Sequence, residues 1–333
     1  GYIQRRIANS DLKWETKISK NIGVDLSMFN NRFTFTADVY KNDRKEMILN
    51  LQTPPSAGTT QPRDANTYSN ILINAGDMTN QGIELAASYR SKAAKAFKWD
   101  VAATFTTNDN EIQNLNGIER GYGGGLPAVT LAGIDYTTFH AVGYEAGAFF
   151  LVENDGVIKT QTDLDAYRAI EPSAQLGDMK YIDQNGDSVI DDNDRVYKGS
   201  GQAEFEVGLN FNFNYKGFDL FIQNYYSHGA EIFNGARYLA HATGRHLEQY
   251  NMWSPQNPNS DIPTFRQDSF GSSFRSRSDF WLEDGTYFRL RNVTLGYTVP
   301  IETTSTIGLS KLRLYLSAMN PLTITNYTGY DPE

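Results

Sequence analysis

Strict alternation of apolar and polar side chains over long segments most constrains the fold of this chain. In Thr16–Met28 the even positions are apolar from Ile18 onward, with Lys20 as the one break, and the odd positions are polar or glycine. A two-residue period places successive side chains on opposite faces of a β-strand. The pattern recurs in Phe33–Val39, Ile83–Tyr89, Phe97–Phe105, Phe205–Tyr215, Phe218–Tyr226, Val293–Val299 and Leu312–Ala318. These segments predict an all-β, antiparallel chain.

Short connections between these strands alternate with long ones. The short ones are Asn30–Asn31, residues 91–96 and Tyr215–Gly217, and the long ones are Leu51–Asn74, Asn108–Gly201 and His228–Asp284. A tilted strand needs about 9 to 11 residues to cross a bilayer, whereas globular strands have about 5 or 6. Long strands, tight turns at one end and long loops at the other are typical of a transmembrane β-barrel. This pattern favours an outer-membrane barrel with long extracellular loops, and a soluble β protein is the alternative.

Composition agrees with both alternatives and excludes other classes. The chain has 20 Tyr and 19 Phe, yet its mean hydropathy is −0.50, as expected for strands that are apolar on one face. The net charge of −9 and the lack of a basic face argue against a nucleic-acid partner. There is no cysteine for a disulfide or a thiolate metal site. Both termini suggest that residues 1–333 are a fragment of one barrel domain.

The stretch DQNGDSVIDDND, within the loop region 108–201, has the ligand pattern of a calcium-binding loop. Its positions 1, 3, 5, 7, 9 and 12 would supply the ligands, with a backbone carbonyl at position 7. The expected ligands are Asp183, Asn185, Asp187, Val189, Asp191 and Asp194. Ile190 would anchor the loop to apolar neighbours. No long helix pattern flanks residues 183–194, so we expect a structural calcium ion outside an EF-hand; a solvated acidic turn is the alternative.

The second long loop, residues 228–284, is rich in aromatic residues. Because aromatic faces stack on sugar rings and on peptide side chains, four of them are candidate ligand contacts, with girdle or packing roles as alternatives. They are Tyr250, Trp253, Phe280 and Trp281. His241 and His246 are five residues apart, which is not the spacing of a helical metal pair. We therefore expect them to be exposed loop histidines.

Five segments, taken in order, resemble the SusC/RagA family of TonB-linked outer-membrane proteins. They are Asp11–Tyr40, Asn74–Tyr89, Gly177–Gly199, Leu282–Pro300 and the terminal NYTGYDPE. The resemblance implies a large barrel filled by an N-terminal plug, capped by a SusD-like lipoprotein and energised by TonB. It also implies an oligosaccharide or peptide cargo. The chain resembles only the later part of such a barrel, so TonB would act through the N-terminal region that this sequence does not contain.

Two departures from the family pattern concern the loops. Ser188 stands where the family's acidic loop usually has glycine, at a position suited to positive φ. The segment Gly143–Gly156 lacks a proline that often precedes its small-residue pair.

We therefore expect an active outer-membrane importer of glycan or peptide oligomers, and no enzyme, because no nucleophile–base arrangement, phosphate loop or zinc spacing is present. The alternatives are a siderophore or cobalamin receptor of the TonB type and a soluble carbohydrate-binding module with a calcium loop. In a barrel, the apolar stripe would contact the lipid bilayer. The side chains expected to face water, plug or cargo are Glu204, Glu206, Asp219, Arg289 and Arg291.

Overall fold

The computed structural model describes residues 8–52, 70–92, 94–116, 120–122, 128–130, 133–266, 275 and 277–333. In chain order its strands are β1 (Thr16–Met28), β2 (Phe33–Gln52), β3 (Asn70–Arg90), β4 (Phe97–Thr107), β5 (Asp109–Asn114), β6 (Arg120–Tyr122), β7 (Ala128–Thr130), β8 (Gly133–Asp135), β9 (Thr138–Ala141), β10 (Ala148–Val152), β11 (Asn154–Val157), β12 (Met179–Tyr181), β13 (Arg195–Tyr197), β14 (Phe205–Tyr215), β15 (Phe218–His228), β16 (Glu231–Phe233), β17 (Leu282–Asp284), β18 (Tyr287–Thr298) and β19 (Arg313–Thr325). The helices are α1 (Gln161–Tyr167), α2 (Gly235–Ala242) and α3 (Ile301–Thr304), with 3₁₀ turns at Asp192–Asp194, Leu247–Asn251, Asp279–Trp281 and Ser305–Ile307. In the part of the chain that the structure describes, every helix is too short or too polar to span a membrane.

The largest sheet follows the order of the chain. Its strands run β1-β2-β3-β4-β14-β15-β18-β19, and β5 pairs with β3. All neighbouring pairs are antiparallel. The hairpins predicted from the alternating segments are confirmed. We call the eight strands of this path the wall.

Tight turns close the wall at one end. Phe29, Asn30 and Asn31 join β1 to β2 with φ values of 57°, 58° and 59°. Lys216 and Gly217 join β14 to β15 with φ values of 46° and 87°. Two consecutive residues with positive φ match the right-handed twist of the strands that they connect. The Asn and Gly residues identified in the sequence therefore mark this end.

The long connections leave the wall at the opposite end. Phe205, the first residue of β14, pairs with Thr107 and with His228. These are the last residues of β4 and β15, so the chain enters residues 108–204 and 229–286 from one edge of the sheet. For the connections after β4 and β15, the predicted separation of tight turns and long connections is confirmed, whereas most of the predicted connection Leu51–Asn74 lies outside the described residues.

The apolar face of the wall is uncovered by protein. Leu220, Leu295 and Leu316 form one row across β15, β18 and β19. On interior strands of the sheet, Leu295 keeps 49%, Val39 56% and Ile83 41% of its surface exposed. A continuous apolar face of this size needs an apolar environment, which the hydrocarbon of a bilayer provides.

The opposite face of the wall is polar and is joined by side-chain pairs across strands. The Arg313 guanidinium lies 2.6 Å from the Asp219 carboxylate. This pair crosses β18 above Gly296, where a Cβ would lie 2.6 Å from both side chains. Further along, Asn212 Nδ2 donates to Asp100 Oδ2 at 2.8 Å. Glycine in β18 is therefore required by the side chains that pass over it.

Aromatic rings line the apolar face at the end of the wall where the tight turns lie. Phe97 stacks on Phe213 with ring centroids 6.1 Å apart and meets Tyr215 edge-on. Phe218 lies 4.5 Å from Tyr297 on the next pair of strands. Rings at this level are typical of the girdle at a membrane–water boundary.

An irregularity in β18 corrects one expectation. The pairing register of β18 shifts at Arg291 on both of its sides. Arg289, expected to face water, is only 3% exposed, because it forms ion pairs with Asp331 and Glu333. Arg291 is partly exposed and lies 2.7 Å from Glu333. The carboxylates near residue 333 therefore cover the two arginines.

The strands β2 and β3 are longer than the alternating pattern predicted. The pattern ends at Val39, but β2 pairs with β3 as far as Gln52. Hydrogen bonding between β2 and β3 continues beyond the part of the strands that has an apolar face. The pairing register shifts near Glu46, which has a φ of 56°. A two-residue period appears only where one face of a strand is apolar, so it did not predict the part of β2 that is polar on both faces.

The long connections are a folded layer with its own cores. We call residues 108–204 and 229–286 the loop layer; it contains β5–β13, α1, β16, β17 and α2. Its central core combines residues from both segments. The members are Val152, Val157, Met179, Tyr181, Ile190 and Trp253. The regions predicted as long loops thus contain short strands and helices that pack around cores of their own.

Direct bonds also join the two segments of the loop layer. The Val152 N–H donates to the Arg277 carbonyl at 2.8 Å, and Thr264 N–H donates to the Gly177 carbonyl at 2.8 Å. Asp279 accepts from the Asn154 side chain at 2.6 Å and lies 3.1 Å from Lys198 Nζ. The two connections therefore fold as one unit above the wall.

Candidate functional site

The acidic loop is organised around Asp183. Its carboxylate accepts N–H bonds from Gly186 at 2.7 Å, from Asp187 at 3.3 Å and from Ser188 at 2.7 Å. Ser188 has a φ of 65°, so the position that the family usually fills with glycine does adopt the left-handed conformation. The turn forms in spite of this substitution.

The end of the loop is held by Asp194, which is fully buried. Its oxygens accept the N–H groups of Gln184 at 2.9 Å and Asp191 at 2.7 Å. Ile190 is 7% exposed and packs in the central core, as expected. Burial and backbone bonding therefore fix both ends of the loop.

The middle of the loop exposes its oxygen donors. Asn185 Nδ2 donates to Asp187 Oδ2 at 2.9 Å, and Asp187 Oδ1 accepts from Val189 N–H at 2.9 Å. Val189 is 55% exposed. The donors are oxygens only, which is the chemistry that Ca²⁺ takes.

The four predicted aromatic contacts have different environments. Tyr250 is 88% exposed, whereas Trp253 is 7% and Trp281 is 1% exposed. Trp253 lies in the central core, Trp281 packs on Tyr238, and half-buried Phe280 lies under Arg237. Protein atoms cover both tryptophan rings, and Arg237 lies over the ring of half-buried Phe280, so of the four we propose only the exposed Tyr250 as a cargo contact.

Tyr250 borders a cavity of about 400 Å³. The cavity is lined by Gly244, Arg245, His246, Leu247, Gln249, Tyr250, Met252 and Phe265. Leu247 is 77% exposed beside it. An apolar rim with an arginine and a histidine can hold a ligand that has both apolar and polar parts.

Beside this cavity, three side chains form a cluster that the sequence did not reveal. His241, expected to be exposed, is fully buried, so that prediction is wrong. His241 Nε2 lies 3.0 Å and His246 Nδ1 lies 3.6 Å from Glu248 Oε2. Within the described ranges, this is the one group of three His, Cys, Asp or Glu side chains placed to share a metal ion, and its ligand atoms all lie within 4.8 Å of one another.

Two local structures bring the cluster together. Asn234 caps α2 by accepting the Arg237 N–H at 2.9 Å, and His241 lies near the end of this helix. His246 caps the 3₁₀ turn Leu247–Asn251. Arg237 donates from Nε and Nη2 to Glu248 Oε2 at 3.1 and 3.0 Å. The cluster thus depends on a helix end meeting a turn, which residue spacing alone does not show.

Opposing effects set the charges in the cluster. Burial lowers the pKa of His241 to about 4, although Glu248 acts in the opposite direction. Burial would raise the pKa of Glu248, but Arg237 and His241 outweigh it and lower that pKa below its usual value. At neutral pH the cluster therefore holds a neutral His241 beside an ionised carboxylate.

The wall and the loop layer agree with a known protein family. Residues 1–170 of the 333-residue chain match the family described as "TonB dependent receptor-like, beta-barrel". The chain belongs to the TonB-dependent receptor-like β-barrel family. The wall is accordingly part of an outer-membrane β-barrel, and the soluble module considered above is excluded.

Curated members of the TonB-dependent receptor family align along the entire chain. "TonB-dependent receptor P3" of Formosa agariphila is 28% identical over 337 residues, which cover 100% of this chain and 32% of that protein. "TonB-dependent receptor SusC" of Bacteroides thetaiotaomicron is 25% identical and covers 98% of this chain and 30% of its own length. The chain spans about a third of these relatives.

A solved structure supports the same fold. The "RagAB peptide transporter" matches 98% of this chain with a TM-score of 0.76 and 24% identity, and the match spans 34% of the solved chain. The likeness includes the loop layer as well as the wall, because nearly all residues are covered.

Proposed function

We propose that this chain forms the later part of the barrel in an outer-membrane importer of nutrient oligomers. The cargo is a glycan or a peptide, TonB supplies the energy, and a SusD-like surface lipoprotein closes the importer. The observation that supports this proposal is the alignment of the whole chain with TonB-dependent receptors, including SusC. The wall provides the barrel, and the loop layer provides the surface that meets cargo and lipoprotein.

Binding and energy input are separate tasks in this proposal. An oligomer too large for a passive pore cannot enter when its external concentration is low, so work must reach the barrel from the inner membrane. The residues described here lie in the wall and the loop layer, and they contribute binding surface and shape. Tyr250 is the proposed cargo contact, because it is exposed beside the cavity. Stacking of its ring on the cargo would contribute about 1 kcal/mol to the binding free energy.

We also propose that calcium stabilises the acidic loop. Asp183, Asn185, Asp187 and the Val189 carbonyl would bind it with Asp191 and Asp194. The all-oxygen donor set and the left-handed turn at Ser188 support this assignment. An ion would draw the carboxylates closer together and hold the exposed middle of the loop.

The importer is tested with the complete protein, copurified with its lipoprotein. Tyr250→Ala should weaken cargo binding about fivefold by calorimetry, which corresponds to about 1 kcal/mol. Tyr330→Ala, at a fully exposed ring in the terminal turn, is the matched control and should bind normally.

Deletion of the segment that contacts TonB should leave binding intact and abolish growth on the cargo. Full uptake without TonB would contradict active import and indicate a passive pore. Specific uptake of a siderophore or cobalamin, without an associated lipoprotein, would replace the proposed cargo class.

A further inference from the structure

We propose that His241, His246 and Glu248 form a binding site for a divalent transition-metal ion, with zinc as the best match. The site lies in the loop layer, where α2 meets the 3₁₀ turn Leu247–Asn251. It is separate from the acidic loop and does not depend on the identity of the cargo.

The spacing of the donor atoms supports the site. Zinc binds imidazole nitrogen and carboxylate oxygen at about 2.0–2.2 Å, so two ligands in a tetrahedral site lie about 3.3 Å apart. Glu248 Oε2 is 3.0 Å from His241 Nε2 and 3.6 Å from His246 Nδ1. Both distances are close to the tetrahedral value, and a bound ion would replace the His241–Glu248 hydrogen bond and the bond that His246 Nδ1 accepts from the Glu248 N–H. Solvent would supply the fourth ligand beside the cavity.

The rings need only a limited adjustment to bind one ion. His241 and His246 are stacked, with centroids 4.5 Å apart and planes 25° apart. The rings must fan apart to direct both nitrogens at one point. His241 is fully buried, whereas the His246 side chain is 28% exposed and would turn at the cost of its cap bond to the Glu248 N–H.

The surroundings hold the carboxylate ligand in place. Arg237 donates to Glu248 Oε2 through Nε and Nη2 and also lies 3.5 Å from Glu283 Oε1. Hydrogen-bond donors of this kind orient metal-binding carboxylates in proteins. The guanidinium also faces two carboxylates, so its positive charge is offset near the ion.

Donor chemistry distinguishes this site from the acidic loop. Two imidazoles with one carboxylate favour zinc and neighbouring transition metals, whereas oxygen-only sets favour calcium. The loop layer would then contain two sites with different metal preferences. A zinc ion here would tie α2 to the turn that carries Tyr250 and would fix one side of the 400 Å³ cavity.

The test uses the complete protein in detergent, stripped of metal by a chelator. Zinc is titrated in competition with a chromophoric chelator in the presence of millimolar calcium. We expect wild type to bind zinc and His246→Gln to bind it at least tenfold more weakly. His228→Gln is the matched control and should bind as wild type does, because His228 lies 4.0 Å from Glu204 and belongs to no group of three His, Cys, Asp or Glu side chains that could share an ion among the described residues.

Glu248→Gln provides a second variant that keeps the size of the side chain. It should weaken zinc binding as well, and X-ray absorption at the zinc edge should lose an imidazole shell in His246→Gln only. Unchanged proteolytic patterns of the metal-free variants confirm their folding. The proposal is overturned if wild type binds no zinc under calcium, or if His246→Gln and Glu248→Gln both bind zinc as tightly as wild type.

Discussion

Leu295 and Val39 in the wall keep 49% and 56% of their surfaces exposed, whereas Leu151 and Val152 in the loop layer are completely covered. Both pairs belong to strands of the same chain. In the wall, one face of each strand meets a partner that is not protein. In the loop layer, the apolar side chains of the cores pack against protein, because the surroundings are water.

This difference explains how the two regions are built. Wall strands are long and regular, since lipid accepts any apolar side chain at the right position. The strands and helices of the loop layer are short, and they pack residues from two distant segments, such as Val152 and Trp253, into one core. The wall therefore tolerates changes of shape but not of polarity, and the loop layer tolerates neither.

Leu→Ala substitutions should show the largest difference in unfolding free energy between the wall and the loop layer. Leu151→Ala leaves a cavity in the loop layer and should lower the free energy of unfolding by about 2–5 kcal/mol. Leu295→Ala should cost on the order of 0.5 kcal/mol, because lipid fills the space. Denaturant titration of the complete barrel in vesicles, with proteolysis as a local probe, measures both. Similar losses of unfolding free energy for the two variants would contradict the assignment of Leu295 to a lipid-facing surface.

A charge on the apolar face should cost nearly as much. Leu209→Arg, on β14, should destabilise the complete barrel by about 2–4 kcal/mol, because arginine is unfavourable in the hydrocarbon. Its neighbour Asn210 lies on the polar face, so Asn210→Arg should cost far less. Folding in lipid vesicles compares the two variants, and equal effects would contradict the assignment of the faces.

Loss of the link between the two loop segments should have a smaller effect. Asp279→Ala removes the acceptor of Asn154 and one partner of Lys198, and should lower local stability by about 1–3 kcal/mol. Asp261→Ala breaks an ion pair with Lys159 in which Asp261 is 87% exposed, and should cost at most about 1 kcal/mol. Hydrogen exchange in both segments measures the difference. Exchange that rises in one segment only would show that the segments fold separately.

The smallest change concerns the acidic loop. Asp183→Asn with Asp187→Asn removes two negative charges and keeps one acceptor oxygen at each position, so the bonds now accepted by the second oxygens, from Ser188 N–H and from the Asn185 side chain, are lost. If calcium holds the loop, EGTA should speed proteolysis at residues 183–194 in wild type and have no effect in this variant. Asp165→Asn, on the exposed side of α1, should respond to EGTA as wild type does. A wild-type loop that ignores EGTA would refute the calcium assignment.

The sequence predicted the wall because its signal is local. Apolar residues two apart define the lipid face, and the residues at Asn30–Asn31 and Lys216–Gly217 define the turns without reference to distant residues. The extension of β2 beyond Val39 was missed, since pairing with β3 continues where no lipid imposes an apolar face. Burial of Arg289 was missed because its partners, Asp331 and Glu333, are distant in sequence.

The loop layer was predicted less well for the same physical reason. The candidate ligands of the acidic loop lie in one short stretch, so the sequence alone shows them together, and calcium binding there stays a prediction. Trp253 and Trp281 could not be distinguished from cargo contacts, because large rings suit both a core and a sugar-binding surface. Burial of His241 depends on packing against Trp281, and its approach to Glu248 depends on the turn between them.

The wall separates lipid from a polar interior by the alternate residues of its strands. The 333 residues contain no cysteine, so single cysteines can be placed at Leu220, Phe221, Ile222 and Gln223 on β15. A fluorescent label at each site is measured in vesicles of the complete protein with brominated lipids. We expect strong quenching of the labels at positions 220 and 222, which face lipid, and weak quenching at positions 221 and 223, which face the interior. Uniform quenching along the four positions would contradict it.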